Sequence, residues 1–362
     1  MIGKTSKGEI RILYAATYYV RDYVRQSVLL EHVRRLPNVS VDVLLVNRRG
    51  WTRYFEFLWK FLWLKKGEYQ AIYLGWRTIE VAPLLRVMTR RPIIFDAFVP
   101  IFETLCYERK RVSPRSVIGR FVHWWEGLAL RSVNHVVTDT KANAQYFSEE
   151  YHLDPVRCVD IPVGVDRSIY SARPNVVPPD KTRVFFYGTF LPLHGTRVMI
   201  EAAHLLRDRV DIVWQFVGNG PERLLAETLA NKHRLSNVTF IPRAPQSVLA
   251  QKISEADICL GGPFSNLPKA QRVITGKTYQ FLAMGKPVIV SDTAGNCELL
   301  THKKNCYMVD PNNPQALAEA VRVLADGPAF RLQLGEAAKA LSSDIDRRID
   351  EQLGRLIEQY AT

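Results

Sequence analysis

The chain has 362 residues, a length that predicts two domains of ordinary size. Hydrophobic residues make up 47% of it and charged residues 23%, a balance that excludes an intrinsically disordered protein. Its formal net charge of +13 favours an anionic partner, which could be nucleic acid, an anionic membrane surface or a phosphorylated small molecule.

The five cysteines are widely spaced and form no CxxC pair, so the sequence predicts neither a disulfide framework nor a zinc site. Reduced thiols are typical of a cytoplasmic protein. The N-terminus lacks the apolar core of a signal peptide, and no apolar run reaches the roughly 18 residues that a membrane span needs. We therefore expect a cytoplasmic protein, either soluble or peripheral at the inner face of the cell membrane.

Short β-branched runs alternate with amphipathic helical stretches, a pattern typical of parallel α/β sheets. The first domain is predicted over residues 1–165, with a helix near Val24–Leu36. Its predicted strands are Ile10–Ala15, Val41–Val46, Ala71–Leu74, Pro92–Asp96 and His135–Thr138.

The segment Trp51–Lys66 is rich in Trp and Phe. Wound as a helix, it presents broad apolar faces with cationic flanks at Arg53, Lys60, Lys65 and Lys66. Trp combined with Lys and Arg is typical of a helix that lies on an anionic bilayer. A helix buried between sheet and solvent is the alternative.

A proline-rich stretch with no periodicity, Arg173–Asp180, predicts a linker over residues 166–181. The strand and helix pattern then restarts, which predicts a second domain over 182–330. Its predicted strands are Arg183–Tyr187, Ile212–Val217, Val238–Ile241, Ile258–Leu260, Val288–Val290 and Tyr307–Val309. The tail, residues 331–362, is predicted as helices separated by an N-cap signal at Ser342–Asp344. Two Rossmann-like domains facing each other across a cleft fit this pattern best.

Three turns of the second domain contain glycine or follow strands directly: Gly188–Gly195, Val217–Glu222 and Phe240–Arg243. A glycine turn before a helix presents backbone N–H groups and the positive end of a dipole to a phosphate, although tight geometry alone also explains glycine. Because ligands bind at the carboxyl ends of strands in open α/β sheets, we expect the three turns to line one crevice.

Lys269, Arg272 and Lys277, the basic cluster, precede a short helix predicted at Thr278–Met284. Cations gathered ahead of a helix start suit a sugar diphosphate, and a solvated basic face is the alternative. After the next strand comes Asp292–Glu298.

These segments, in this order and spacing, resemble family four of the GT-B glycosyltransferases, retaining enzymes that use nucleotide-diphosphate sugars. The resemblance rests on Tyr187-Gly188 with His194-Gly195, Val217–Glu222, Asn237–Ile241, Phe281–Ile289 and Ser291–Glu298. It is looser in the first half, at Phe95–Phe98, Ile101–Thr104 and Asp139-Thr140.

The family's paired glutamates, eight positions apart, fall at Arg272 and Gln280. Gln280 can still hydrogen-bond the donor ribose, whereas Arg272 cannot accept a hydrogen bond from the donor sugar. The family's diphosphate-binding arginine and lysine fall at Thr189 and His194, so the basic cluster is expected to bind the diphosphate instead.

The resemblance implies a donor site, and the predicted catalytic residues are Asp96, at the end of a predicted strand and at the edge of the cleft, and Lys277. Asp96 would orient the acceptor hydroxyl or stabilise positive charge on the sugar, unless it only caps the next turn. Arg21 and Arg25 lie near the first strand turn, where they would contact phosphate or lie on the surface. The predicted donor-binding residues are Gly188, Thr189, His194, Gly195, Gly218, Ile241, Arg243, Lys269, Arg272, Lys277, Gln280 and Glu298.

The expected activity is retaining transfer of a hexose from a nucleotide-diphosphate sugar to a glycan, with a lipid-linked surface polysaccharide as the predicted acceptor. The resemblance also implies that donor binding closes the domains and that the tail helices brace the first domain. We expect no cofactor besides the donor and no metal, since Asp344-Ile-Asp346 only superficially mimics a metal-binding motif and lies in a predicted helix.

Arg272 and Gln280 motivate one alternative, a non-catalytic nucleotide-sugar-binding subunit. An epimerase or phosphorylase has no positive support in the sequence. Nucleic-acid binding explains the charge but not the ordered turns, so we predict no nucleic-acid partner.

Overall fold

The computed structural model describes residues 9–18, 24–46, 48, 50–173 and 180–361. The chain forms two compact units, one made of Met1–Val163 with Asp346–Thr362 and the other of Gly164–Ile345. Each unit contains one parallel six-stranded sheet. The predicted α/β class is therefore confirmed, and the core of the predicted linker, residues 174–179, lies outside the described residues.

The first sheet has the strand order β2-β1-β3-β4-β5-β6. Its five predicted strands are confirmed to within two residues at each end, and one strand, β6, was not predicted. β6 has only three half-buried residues, too few to form a pattern. The elements of this unit are β1 Ile10–Ala16, α1 Val24–Arg35, β2 Val39–Leu45, α2 Thr52–Trp63, β3 Ala71–Leu74, α3 Ala82–Met88, β4 Ile93–Asp96, α4 Ile101–Glu103, α5 Val117–Ser132, β5 His135–Thr138, α6 Lys141–Tyr151 and β6 Cys158–Asp160.

One core of the first unit lies between its sheet and the helices α2, α3, α5 and α6. Phe57 and Phe61 of α2, Leu85 of α3, Leu130 of α5 and Phe147 of α6 are all fully buried there. Strands β3 and β4 are buried throughout, as expected of parallel strands covered on both faces. This burial explains why short apolar runs identified them.

The second sheet has the order β12-β11-β10-β7-β8-β9, and all six of its strands were predicted. Its core contains Trp214, Phe216 and Met199, with Leu317 and Val321 from a later helix. The elements of this unit are β7 Thr182–Gly188, α7 Thr196–Leu205, β8 Ile212–Gly218, α8 Arg223–Lys232, β9 Val238–Ile241, α9 Gln246–Glu255, β10 Ile258–Leu260, α10 Gly276–Ala283, β11 Val288–Ser291, α11 Ala294–Cys297, β12 Tyr307–Val309, α12 Pro314–Asp326 and the first part of α13 Pro328–Glu358.

The predicted break in the tail is wrong, because α13 is one continuous helix. Ser342 is buried inside it, and its hydroxyl accepts a hydrogen bond from Arg167 Nη2 at 2.9 Å. The serine therefore serves a tertiary contact and not a helix cap. Farther along, Arg348 pairs with Asp160 at 2.6 Å within the first unit.

Candidate functional site

The strand order of the second unit has a topological switch point between β7 and β10. In open α/β sheets, ligands bind outside the carboxyl ends of the strands at such a point. Gly188 ends β7 and Gly261 follows β10, so the turns after these residues surround the expected position of a ligand.

Two glycines allow the turn after β7 to pack closely against the turns after β8 and β10. A Cβ on Gly218, whose φ is +132°, would lie 1.9 Å from the carbonyl oxygen of Gly188. A Cβ on Gly195, at φ +67°, would lie 2.7 Å from the backbone carbon of Phe264. Glycine is required at both positions by close backbone contact and by left-handed φ. The tight-geometry explanation is thus part of the reason for these glycines.

Hydrogen bonds join the same two turns. The Glu222 side chain accepts from the Thr196 hydroxyl at 3.0 Å, and the Glu222 N–H donates to the Phe190 carbonyl at 3.0 Å. Burial raises the pKa of the Glu222 carboxyl, while the Thr196 hydrogen bond lowers it. The first turns of α7 and α8 are therefore held in fixed positions.

Arg223, at the start of α8, joins the ends of β8 and β9. Its Nη1 donates to the Ile241 carbonyl at 2.9 Å and also to the Gly218 carbonyl. The guanidinium lies 6.0 Å from the ring centroids of both Phe190 and Phe240. Arg223 was not predicted as a site residue, and its only sequence signal is a basic residue just after the Gly220–Glu222 turn.

Two lysines of the basic cluster are buried, which argues against a solvated basic face. Lys269 and Lys277 are 8% and 6% exposed. Lys277 Nζ lies 3.2 Å from His194 Nδ1, and His194 is itself 8% exposed. α10 begins at Gly276, so Lys277 lies in its first turn and not ahead of it as predicted. The structure thus brings together a lysine and a histidine from the two sides of the switch point.

Burial decides the charges of this pair. It lowers the pKa of the Lys277 ammonium to about 7. It also lowers the pKa of the His194 imidazole well below its usual value, and the charges of Lys277 and Lys269 lower it further. His194 is therefore neutral at neutral pH and can accept a hydrogen bond from Lys277. Among the described residues, no carboxylate lies within 4.0 Å of Lys277 Nζ, so a charged Lys277 lacks a counter-ion there.

The N-terminus of α10 is open beside Lys277. Thr275, at the cap position, donates its hydroxyl to the Gly261 carbonyl at 2.8 Å, and its side chain accepts no hydrogen bond from the helix amides. A Cβ built on Gly276 would have nothing within 4 Å. N–H groups without a side-chain cap, together with the positive end of the helix dipole, are suited to binding an anion.

Buried polar atoms that lack a partner lie farther along α10 and at the end of β11. Gln280 is 3% exposed and Ser291 is fully buried. Gln280 Oε1 and Ser291 Oγ have no hydrogen-bond partner among the described residues. Buried polar groups are nearly always hydrogen-bonded, so these two atoms are suited to a polar ligand. The Asn296 amide beside them donates to the Ser291 carbonyl at 2.8 Å.

The other predicted donor-binding residues differ in their exposure. Thr189 and Arg243 are exposed, whereas Glu298 and Arg272 are half-buried. Arg272 Nη1 donates to the Pro268 carbonyl at 3.2 Å. The backbone of Arg272 packs closely against α11, since a Cβ on Gly295 would lie 2.5 Å from it.

Asp96, in the first unit, lies in a buried ion pair, and its predicted catalytic role stays a prediction. Asp96 is fully buried, and its Oδ1 accepts from Arg25 Nε at 2.7 Å. Arg25, 1% exposed, also donates to the Ile161 carbonyl at 2.9 Å and the Thr138 carbonyl at 3.0 Å. The predicted surface position of Arg25 is therefore wrong, and all three of its guanidinium nitrogens donate to protein oxygens. Arg21 lies outside the described residues.

Burial raises the pKa of the Asp96 carboxyl, and the adjacent Arg25 guanidinium opposes that rise. The pair joins the ends of β4 and β5 and the segment after β6. One oxygen of Asp96 is thus held in an ion pair, whereas its Oδ2 has no hydrogen-bond partner among the described residues.

Comparison with known proteins identifies the second unit. Residues 171–341 match the family model described as glycosyl transferases group 1. This segment is a group 1 glycosyltransferase domain. It contains the switch point, the basic cluster and α10.

Curated relatives of the chain are glycosyltransferases. It is 25% identical over 284 residues to a D-inositol 3-phosphate glycosyltransferase of Corynebacterium glutamicum, a match that covers 73% of this chain and 65% of the relative. Another D-inositol 3-phosphate glycosyltransferase, from Pseudarthrobacter chlorophenolicus, is 25% identical over 217 residues, covering 56% of this chain and 50% of the relative. The chain thus spans between half and two thirds of the length of these relatives.

Solved structures show the same fold. The Anabaena protein Alr3699/HepE, solved in complex with UDP, has a TM-score of 0.74 at 15% identity and covers 97% of this chain and 100% of its own. WaaG, a glycosyltransferase involved in lipopolysaccharide biosynthesis, has a TM-score of 0.67 at 16% identity, with 96% and 99% covered. The predicted GT-B fold is confirmed.

Proposed function

We propose that the protein is a retaining glycosyltransferase that moves a hexose from a nucleotide-diphosphate sugar to a glycan acceptor. The observation that carries this proposal is Lys277, a buried ammonium with no carboxylate partner among the described residues, set beside the open N-terminus of α10. A diphosphate would supply the missing negative charge.

The chemistry of the leaving group suits this arrangement. When the bond between the sugar and the diphosphate breaks, negative charge builds up on the departing phosphate oxygen. Lys277, Lys269 and the first N–H groups of α10 would stabilise that charge, and fixed donors of this kind often supply the largest part of catalysis. Retention by front-face substitution is supported by the resemblance to family four.

Two buried oxygen atoms without hydrogen-bond partners among the described residues indicate where the nucleoside would bind. Gln280 Oε1 and Ser291 Oγ are buried and unpartnered among the described residues, so ribose hydroxyls are suitable donors for them. Structures of the similar HepE hold UDP and UDP-glucose, which makes a UDP-hexose the first donor to test here.

We further propose a lipid-linked surface polysaccharide as the acceptor, reached at the inner face of the cell membrane. The similar protein WaaG is involved in lipopolysaccharide biosynthesis, which supports this acceptor class. No helix of the described residues is long and apolar enough to span a membrane.

The test combines binding with turnover. Thermal shift against UDP-, GDP-, ADP- and TDP-sugars identifies the donor, and release of nucleoside diphosphate measures transfer or hydrolysis. Lys277→Ala should lower turnover at least about 100-fold, the usual cost of losing one transition-state donor. Lys232→Ala, an exposed lysine at the end of α8, is the matched control and should leave turnover unchanged.

Arg272 favours a second candidate, a non-catalytic subunit that binds nucleotide sugars. It takes the place of a family glutamate and has no acceptor atom to offer the donor sugar. Binding of a donor without release of nucleoside diphosphate, with any acceptor, would establish that candidate and exclude the enzyme. No binding of any of the four donors would overturn both.

A further inference from the structure

Helix α2 has two apolar faces, and only one of them is packed. Phe57 and Phe61 are fully buried in the core of the first unit. On the opposite side, Trp51, Phe55 and Trp59 are 82%, 76% and 64% exposed. A surface helix of a globular protein normally turns charged and polar residues outward. The predicted buried helix is therefore confirmed for one face only, and the bilayer contact stays a prediction for the other, exposed face.

The bare surface continues beyond α2. A shallow depression is lined by Phe55, Trp59 and Leu62 of α2 together with Met88 of α3. α3 in turn contacts α5. We define the aromatic face as the exposed apolar residues of these three helices: Trp51, Phe55, Trp59, Leu62, Trp63, Leu84, Val87, Val117, Ile118, Phe121 and Trp124.

The charges around α3 and the start of α5 have one sign. In residues 84–120 the acidic side chains, Asp96, Glu103 and Glu108, are all buried. The exposed charged side chains are all basic: Arg86, Arg90, Arg109, Lys110, Arg111, Arg115 and Arg120. Among the described residues, none of these seven cations has a carboxylate within 4.0 Å. We call these seven cations the basic rim; they lie on α3 and α5 or in the chain segments next to them, and both helices contribute to the aromatic face.

The one acidic residue beside the depression is already compensated. Glu56 Oε2 lies 2.9 Å from Arg48 Nε, and Glu56 Oε1 lies 2.7 Å from Lys60 Nζ. The surface thus offers apolar rings and net positive charge together.

Three kinds of partner could cover such a surface, and the charge distinguishes them. A second copy of the chain would bring the same basic rim against itself, which electrostatic repulsion disfavours. A protein partner would need a complementary acidic groove. An anionic bilayer satisfies both features, because Trp rings settle at the level of the lipid headgroups while Lys and Arg contact the phosphates.

We propose that the aromatic face and its basic rim dock the protein on an anionic phospholipid bilayer, with the Trp and Phe rings at headgroup depth. This docking would bring the protein to a lipid-linked acceptor, and in that respect alone it rests on the proposed function. The contact itself requires no donor nucleotide.

Co-sedimentation of the full chain with vesicles tests the docking, without donor present. Vesicles of phosphatidylcholine with phosphatidylglycerol should bind the protein, and vesicles of phosphatidylcholine alone should bind it at least about tenfold more weakly, since several basic residues act together. Trp fluorescence should be quenched by brominated lipid. Equal binding to both vesicles, or to neither, would overturn the proposal.

Two sets of variants locate the contact. Trp59→Ser with Trp63→Ser, and separately Arg109→Gln with Arg111→Gln and Arg115→Gln, should each weaken binding to anionic vesicles by roughly tenfold or more. The matched controls are Leu224→Ser with Leu225→Ser, 72% and 68% exposed on α8, and Arg355→Gln, exposed on α13. The controls should bind as the wild type does.

The outcomes separate the docking from the proposed activity. Unchanged vesicle binding in the variants would refute this surface as the contact. Concentration-dependent self-association that the Trp variants abolish would replace the bilayer with a second copy. Donor hydrolysis in solution should be equal in wild type and variants, so lost docking with intact hydrolysis leaves the proposed function standing.

Discussion

The side chains of Lys277 and His194 form a buried pair in which burial and not a carboxylate sets the charge. For a lysine whose pKa is lowered by folding, the unfolded chain holds more protons between pH 7 and its usual value near 10.5. The ligand-free protein should therefore gain stability from this group as pH rises through that window, and a bound diphosphate should reverse the effect.

We expect donor affinity to fall as pH rises above 7, because a bound diphosphate favours the protonated Lys277 and binding must then take up a proton. Because one proton is taken up, donor affinity can fall by at most about tenfold per pH unit. Titration calorimetry in buffers of different ionisation enthalpy measures the proton uptake. Lys277→Arg, which stays charged, should bind without it. A pH-independent donor affinity in the wild-type protein would contradict this prediction.

Asp96 gives a test between a structural and a catalytic carboxylate. If it serves only to pair with Arg25, Asp96→Asn and Arg25→Met should each lower the free energy of unfolding by about 3–5 kcal/mol, the usual cost of leaving one buried charge unpaired. Denaturant unfolding measures this loss. If Asp96 is structural, the turnover of the folded enzyme should change by the same factor in both variants. If Asp96 is catalytic, Asp96→Asn should lose far more turnover than Arg25→Met.

Gln280 gives a test of the ribose contact. Gln280→Leu should weaken nucleoside diphosphate binding by about 1 kcal/mol, roughly fivefold, with little loss of stability, because an unpartnered buried acceptor is removed at the same time. The control is a ligand variant: the corresponding 2′,3′-dideoxynucleotide should bind wild type and Gln280→Leu equally. If Gln280→Leu weakened binding of the dideoxynucleotide by the same roughly fivefold factor, Gln280 would act through packing and not through a hydrogen bond to the ribose.

Among the elements, the turns after β7 and β8 and the start of α10 use glycine for different reasons. Gly218 has backbone against it, whereas Gly276 faces open space. Gly218→Ala should destabilise the second unit by at least about 1–3 kcal/mol, since both its φ and its contacts forbid a side chain.

Gly276→Ala should leave the free energy of unfolding within about 1 kcal/mol of the wild type, because alanine suits a helix. It should nevertheless weaken donor binding, since the added methyl occupies the approach to the helix amides. Thermal unfolding with and without nucleoside diphosphate measures both effects. Unchanged nucleotide affinity in Gly276→Ala would place the diphosphate elsewhere.

The same elements show what could be predicted. Strands such as Ile93–Asp96 were predicted because parallel strands are buried on both faces and read as short apolar runs. The break in α13 was predicted wrongly because Ser342 finds its partner, Arg167, 175 residues away. Local sequence patterns show which segments are buried, but they do not show which distant residue a side chain contacts.

For the whole molecule, the order of segments and the two sheets could be predicted, because each motif lies between a strand and a helix. The pairing of Lys277 with His194, 83 residues apart, and that of Asp96 with Arg25, 71 residues apart, could not. Both pairs depend on which strands are neighbours in the sheet. The resemblance to family four predicts where the donor site lies, and the structure shows which of its predicted side chains are buried and which lie close together.

The net charge of +13 is likewise distributed in a way that composition cannot show. Part of it is the basic rim of the first unit, where no acidic side chain of residues 84–120 is exposed. Another part is buried at Lys269 and Lys277 in the second unit. The surplus of positive charge therefore lies partly on an external surface and partly at buried positions.

The guanidinium of Arg223 has a further consequence. The carboxyl edge of a parallel sheet ordinarily presents carbonyl oxygens, the negative ends of peptide dipoles. Here Arg223 engages the carbonyls of Gly218 and Ile241, while its Nε pairs with Glu227 at 2.8 Å. The ends of β8 and β9 therefore present carbonyls that already accept a hydrogen bond beside a neutralised ion pair, which leaves fewer free acceptors there for a hydrogen-bond donor or a metal ion.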